Sequence, residues 1–157
     1  VKTAARRKLF HELGIRPESY TQDELIYLTR IHYKAMSDCG HWGEHEIDYV
    51  FVLQRDLEMM PEKNEVESVK HVSQEELKAM FELDERDMGE KDREVKLTPW
   101  FKHIMREFGF KWWDVVLEET RKRGGSKEVD VDQLAAALAP IADPNKIYRF
   151  VKDDGSL

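Results

Sequence analysis

The run Ile47-Asp48-Tyr49-Val50-Phe51-Val52-Leu53 is the stretch that most limits what this chain can fold into. It is short, β-branched and aromatic, the composition of a strand buried in a core. Gly43-Glu44-His45-Glu46 precedes it, so a central strand is expected from Glu44 to Gln54. Side chains alternate along a strand, which puts Glu44 and Glu46 on one face and His45 on the other. Their two Cα atoms should lie about 6.6 Å apart, at a rise of roughly 3.3 Å per residue. Two carboxylates on one face repel each other. They are tolerated when solvated, or when a cation or a shared proton lies between them. On these residues alone both readings stand.

The bulk chemistry narrows the classes. A chain of 157 residues is one domain's worth and long enough for a real core. Its net charge of −7 argues against a general nucleic-acid binder, which carries a basic field. No apolar run approaches the roughly 18 residues that span a membrane. The single cysteine, Cys39, excludes an internal disulfide framework and fits a reducing, intracellular compartment. The chain opens on Val1, inside or just before a helix, and is expected to be a piece of a longer polypeptide.

Along the chain, Val1 to Leu13 reads as an amphipathic helix with Ala5, Leu9 and Leu13 on one face and Gly14 as its C-terminal cap. Leu25 to Lys34 reads as a strand whose even positions begin apolar (Ile26, Leu28) and end polar (Arg30, His32). Ser37 to Gly43 is a loop, Met59 to Asn64 a turn, and Val66 to Val72 a short half-polar strand. Ser73-Gln74-Glu75-Glu76 is a capping box opening a helix that carries Leu77, Met80 and Phe81. Asp84 to Lys96 is nearly all charged and reads as a solvated surface loop. Thr98-Pro99 starts a long helix with an aromatic stripe from Trp100 to Leu117, read chiefly as core, and Gly124-Gly125 breaks it. Asp132 to Ala139 is a short helix ended by Pro140, and Ile147-Tyr148-Arg149-Phe150 should dock on the core. This order predicts an α/β or α+β sandwich built on a mixed sheet.

Arg7 to Ile15, RKLFHELGI, looks like a Nudix helix, in which clustered glutamates hold magnesium against a diphosphate. Arg7, Glu12, Gly14 and Ile15 match; Lys8 and His11 stand where glutamates are expected. Thr29 to Ala35 (TRIHYKA), Trp42 to Tyr49 (WGEHEIDY), Val72 to Leu77 (VSQEEL), Thr98 to Lys102 (TPWFK), Phe110 to Asp114 (FKWWD) and Lys146 to Arg149 (KIYR) follow in order. Together these blocks resemble type I isopentenyl-diphosphate isomerase of the eukaryotic kind, from about Ala4 to Phe150.

The resemblance implies a Nudix-like mixed β-sheet sandwiched between helices, N-terminally truncated, with residues 1–157 forming the C-terminal two thirds of one domain. It implies an enzyme that interconverts isopentenyl and dimethylallyl diphosphate by protonating a carbon–carbon double bond and removing a proton from the neighbouring carbon. It implies a divalent metal cofactor, with zinc, manganese or magnesium in a histidine and glutamate site and magnesium on the diphosphate, and no flavin. Carried over by position, Glu44 is a metal ligand, and Glu46 is both a metal ligand and the acid/base at the substrate carbon. Tyr33 assists proton delivery. Trp100 faces a carbocation-like intermediate, Glu12 holds the diphosphate-bound magnesium, and Lys8 contacts the diphosphate in place of an arginine, without the bidentate fork. On residue type alone, Tyr33 reads as a core tyrosine at a strand end and Trp100 as core packing.

The family's catalytic cysteine and metal-binding histidines would precede Val1, so this piece alone is expected to be inactive and its sheet to have an unpaired edge. Cys39, in a loop one residue longer than in relatives, is no substitute. Expected partners are a small isoprenoid diphosphate, with no nucleic acid and no membrane span, in a monomer located in the cytoplasm, with plastid or peroxisome as alternatives. Two other readings remain: a Nudix-type diphosphate hydrolase, disfavoured by Lys8 and His11, and a non-catalytic Nudix-like binding domain.

Overall fold

Two long apolar runs separated by a short polar segment pair as an antiparallel hairpin, and a late third strand completes the sheet. The computed structural model describes residues 1–36, 41, 43–86, 95–125 and 129–150. Strand β1 (Ile26–Met36) is central, β2 (Gly43–Val52) pairs antiparallel with it on one side, and β3 (Ile147–Phe150) pairs parallel with it on the other. The sheet is therefore mixed, as expected. The expected docking tail is its third strand.

Helix α1 (Lys2–Leu13) covers one face. Its Ala5, Leu9 and Leu13 pack with Ile15, Tyr20, Leu25, Phe51 and Leu53. On the other face α3 (Pro99–Ile104), α4 (Phe110–Lys122) and α5 (Val131–Leu138) bury Ile104, Trp112, Leu134 and Leu138 against Leu28, Ile31 and Tyr33. Gly14 ends α1 with φ 65°, and a Cβ there would collide with the Met60 carbonyl, so both conformation and space require glycine. Helix α2 (Gln74–Arg86) opens on the expected capping box: Ser73 N–H donates to Glu76 at 2.6 Å, and Glu76 N–H donates to Ser73 Oγ at 3.1 Å.

A β-bulge decides which residues of β1 face the main core. The register passes from Tyr27 opposite Phe51 to Thr29 opposite Val50, leaving Leu28 as the extra residue. The buried side changes from even positions (Ile26, Leu28) to odd ones (Ile31, Tyr33). This explains why the even positions of the sequence start apolar and end polar: the strand keeps one apolar face by changing parity.

Four expectations are corrected. Residues 66–72 form no strand; they are an irregular connection with one bend. Strand β2 is an edge strand of the described sheet, not the central one, and Ile47 and Tyr49 on its outer face are half exposed. The aromatic helix is not continuous, because a π-helical turn at Met105–Gly109 separates α3 from α4. Asp84 is not in a solvated loop. It lies in the last turns of α2 with no exposed surface. Cys39, most of the loop around it, and residues 87–94 of the charged segment lie outside the described residues.

Candidate active site

The bulge in β1 aims Tyr33 at the even-numbered side chains of β2. Tyr33 lies opposite Glu46, Ala35 opposite Glu44, and Ile31 opposite Asp48. Glu44, Glu46 and Asp48 form a row of three carboxylates along one face of β2, continuous with Val50 and Val52 in the main core. The buried Tyr33 hydroxyl reaches diagonally and donates a hydrogen bond to Glu44 Oε2 at 2.8 Å. Burial, then the bond to Glu44, then the negative charges of Asp48, Glu44 and Glu46 hold the phenol far above the ordinary tyrosine range. Tyr33 is thus a fixed, protonated donor pointing at the carboxylate row. Burial, followed by the charges of Glu46 and Glu44, pushes the Asp48 carboxyl up as well.

The apolar side of the site adjoins this row. Val50, Val52, Trp100, Ile104, Trp112 and Val116 are among the residues lining a cavity of about 550 Å³. Trp100 is half-buried in its wall and stands edge-on to Phe101, with ring centroids 5.9 Å apart and planes at 81°. His103, one turn further along α3, stacks on Phe150 at 4.7 Å, and Phe150 lies opposite Tyr33 on the β3 side. Burial, then the charge of Arg106, keeps that imidazole below its ordinary pKa.

The remaining expected residues lie elsewhere. Helix α1 packs on the opposite face of the sheet from the carboxylate row. On α1, Lys8 Nζ and Glu12 Oε1 pair with each other at 2.6 Å, one helical turn apart and largely exposed. Tyr33, Glu44 and Glu46 lie on the same face of the sheet as the Trp100 cavity without lining it, and Lys8 and Glu12 lie on the other side. His45 points away from the row, as alternation predicts, and stacks on His32 with ring centroids 4.8 Å apart. Asp48 and His103 were missed by sequence reasoning. Alternation marks Asp48 as the third acid of the row. His103 had a weaker signal, three residues after Trp100 on the same helix.

The oxygen donors of the row suit a hard divalent cation such as magnesium. Among the described residues no three or more His, Cys, Asp or Glu side chains converge to hold a metal ion. No helix of the described residues is long and apolar enough to cross a membrane.

The NUDIX domain family model matches residues 1–101, and the chain belongs to the Nudix family. Members related to it generally use a divalent metal. Within that family the resemblance is to isopentenyl-diphosphate isomerases of type I. The chain is 51% identical over 114 residues to isopentenyl-diphosphate Delta-isomerase 1 of Mesocricetus auratus, a match covering 73% of this chain and 47% of the relative. It is 44% identical over 150 residues to isopentenyl-diphosphate delta-isomerase of Phaffia rhodozyma, covering 96% of this chain and 53% of that protein. It is 48% identical over 120 residues to isopentenyl-diphosphate Delta-isomerase I, chloroplastic, of Arabidopsis thaliana, covering 76% and 40%. The chain spans about half the length of the curated relatives it matches.

Proposed function

We propose that this chain carries the C-terminal part of the active site of an enzyme that interconverts isopentenyl and dimethylallyl diphosphate. The observation that carries the reading is the Tyr33 hydroxyl bonded to Glu44 within a carboxylate row that opens beside the Trp100 cavity. Isomerisation adds a proton to the terminal carbon of the double bond and removes one from the adjacent methylene. It needs an acid/base held beside an apolar pocket, and the reading is supported by the carboxylate face of β2 running on into Val50 and Val52, which line the cavity.

Glu46 is assigned the proton transfer at the substrate carbon. Tyr33, protonated at any physiological pH, keeps a proton available beside it and orients Glu44. Trp100 offers an indole face to the positive charge that develops on the substrate, worth roughly 2 kcal/mol or more once water is excluded. Glu44 and Glu46 are the residues that would hold a divalent ion on this face, whose chemistry would be to set the position and acidity of the carboxylates it touches. Glu12 and Lys8 are assigned to the diphosphate end. That role requires their mutual ion pair to open, because each is the other's partner in the present structure.

Hydrolysis is the weaker reading, since Lys8 and His11 occupy positions where a Nudix hydrolase needs glutamates. The test is incubation of the full-length polypeptide carrying this sequence with isopentenyl diphosphate, a divalent metal and D2O. Deuterium appearing in the allylic product supports the isomerase. Phosphate release without isomerisation supports the hydrolase and refutes it.

A further inference from the structure

Asp84 is the most completely buried acid among the described residues, with no exposed surface, and no sequence motif announces it. Its two carboxylate oxygens hold chain on either side of Trp100. Oδ1 accepts the backbone N–H of Leu97 at 3.0 Å, three residues before the tryptophan. Oδ2 accepts from Lys102 Nζ at 2.7 Å, two residues after it. The Lys102 side chain is itself only 17% exposed, so the pair lies in a poorly solvated place where charge-assisted bonds are strong and directional. Helix α3 has six residues and no side-chain hydrogen bond from its Thr98 cap, and a helix that short has little stability of its own. A π-helical turn follows it at once, so its C-terminal end is irregular too.

We propose that Asp84 is a positioning residue for Trp100: from α2 it pins both ends of the TPWFK segment and so sets where the indole stands in the cavity wall. This rests on the reading above that Trp100 faces the substrate. In this role Asp84 acts through the segment that carries Trp100, from the Leu97 amide to Lys102.

The test is a double-mutant cycle in the full-length isomerase with D84N, W100F and D84N/W100F. The D84N substitution keeps the size of the side chain and its capacity to accept from Leu97, but presents an amide instead of a charge to Lys102. The expected result for D84N is a kcat lower by about tenfold with KM within twofold of wild type, inside the roughly hundredfold that a 1 Å misplacement can cost. In the W100F background the same substitution should change kcat by less than about twofold, because the ring being positioned is gone. A D84N enzyme with wild-type kcat overturns the proposal. So does an equal loss in both backgrounds, which would make Asp84 a general support of the fold. If D84N does not fold, D84N/K102Q replaces the ion pair by an amide–amide bond and is put through the same cycle, with the same outcomes deciding. A W100F enzyme as active as wild type would remove the underlying role of Trp100, whereas a W100F loss that simply adds to that of D84N would remove only the role of Asp84.

Discussion

Replacing Tyr33 by phenylalanine removes one atom, and the structure says what that atom does. The hydroxyl is buried and donates to Glu44 Oε2 at 2.8 Å, while Asp48 and Glu46 stand on the same face. A hydrogen bond to a charged group contributes about 1.5–3 kcal/mol net. Its loss leaves Glu44 facing two other carboxylates without its neutral donor. If the bond is equally strong in ground and transition states, Y33F costs stability alone. If the phenol supports proton transfer in the row, most of the loss appears in the barrier. At about 1.4 kcal/mol per decade, a loss of that size is roughly a ten- to hundredfold drop in kcat. The assay is deuterium uptake into isopentenyl diphosphate by full-length Y33F, paired with a denaturant melt. A folded Y33F enzyme within twofold of wild-type kcat would refute the assignment and return Tyr33 to core packing.

Glu24 governs part of the acid limb of stability. Burial opposes its charge, but the Thr21 N–H and Arg55, at 2.7 Å each, outweigh it and lower its pKa from 4.5. A carboxyl depressed on folding contributes stability that is present above about pH 4.5 and lost as pH falls through the lower, folded pKa; E24Q should therefore lower stability at pH 7 and flatten the loss below about pH 4.5 in urea melts. S73A should cost about 1 kcal/mol by removing one half of the α2 capping box, read as a lower urea midpoint with unchanged slope. L28A should cost about 2–5 kcal/mol, because Leu28 has no exposed surface and is packed in the main core with Ile31, Trp112, Leu134 and Leu138, where its truncation leaves a cavity; a loss under 1 kcal/mol would contradict the packing described.

Periodicity and turn chemistry made much of the fold legible. The α1 helix with its Gly14 cap, the capping box of α2 and the hairpin strands all follow from residues close in sequence. Long-range competition hid the rest. The parity change in β1 looked like a strand losing its apolar face, because a bulge is defined by the partner strand and not by the strand that contains it. Asp84 looked like the first residue of a charged loop. Its burial depends on Lys102 and the Leu97 amide, whose placement no local pattern reports. Residues 66–72 read as a short half-polar strand, yet among the described residues no partner strand lies beside them. At the site, strand alternation alone put Glu44 and Glu46 on one face, and the same rule applied two residues further gives Asp48. The separation of Glu12 from that row could not be read locally, because it depends on which face of the sheet α1 covers.

Glu46 is the residue on which the proposed reaction turns, and substituting the three acids of its row one at a time tests it most directly. Full-length E46Q, E44Q and D48N should be compared for deuterium exchange into isopentenyl diphosphate under single-turnover conditions, with bound metal counted in each. If Glu46 moves the proton, E46Q abolishes exchange even in protein that retains its metal, while D48N keeps exchange within about tenfold of wild type. E46Q enzyme that is metal-loaded and still exchanges at the wild-type rate would contradict the account.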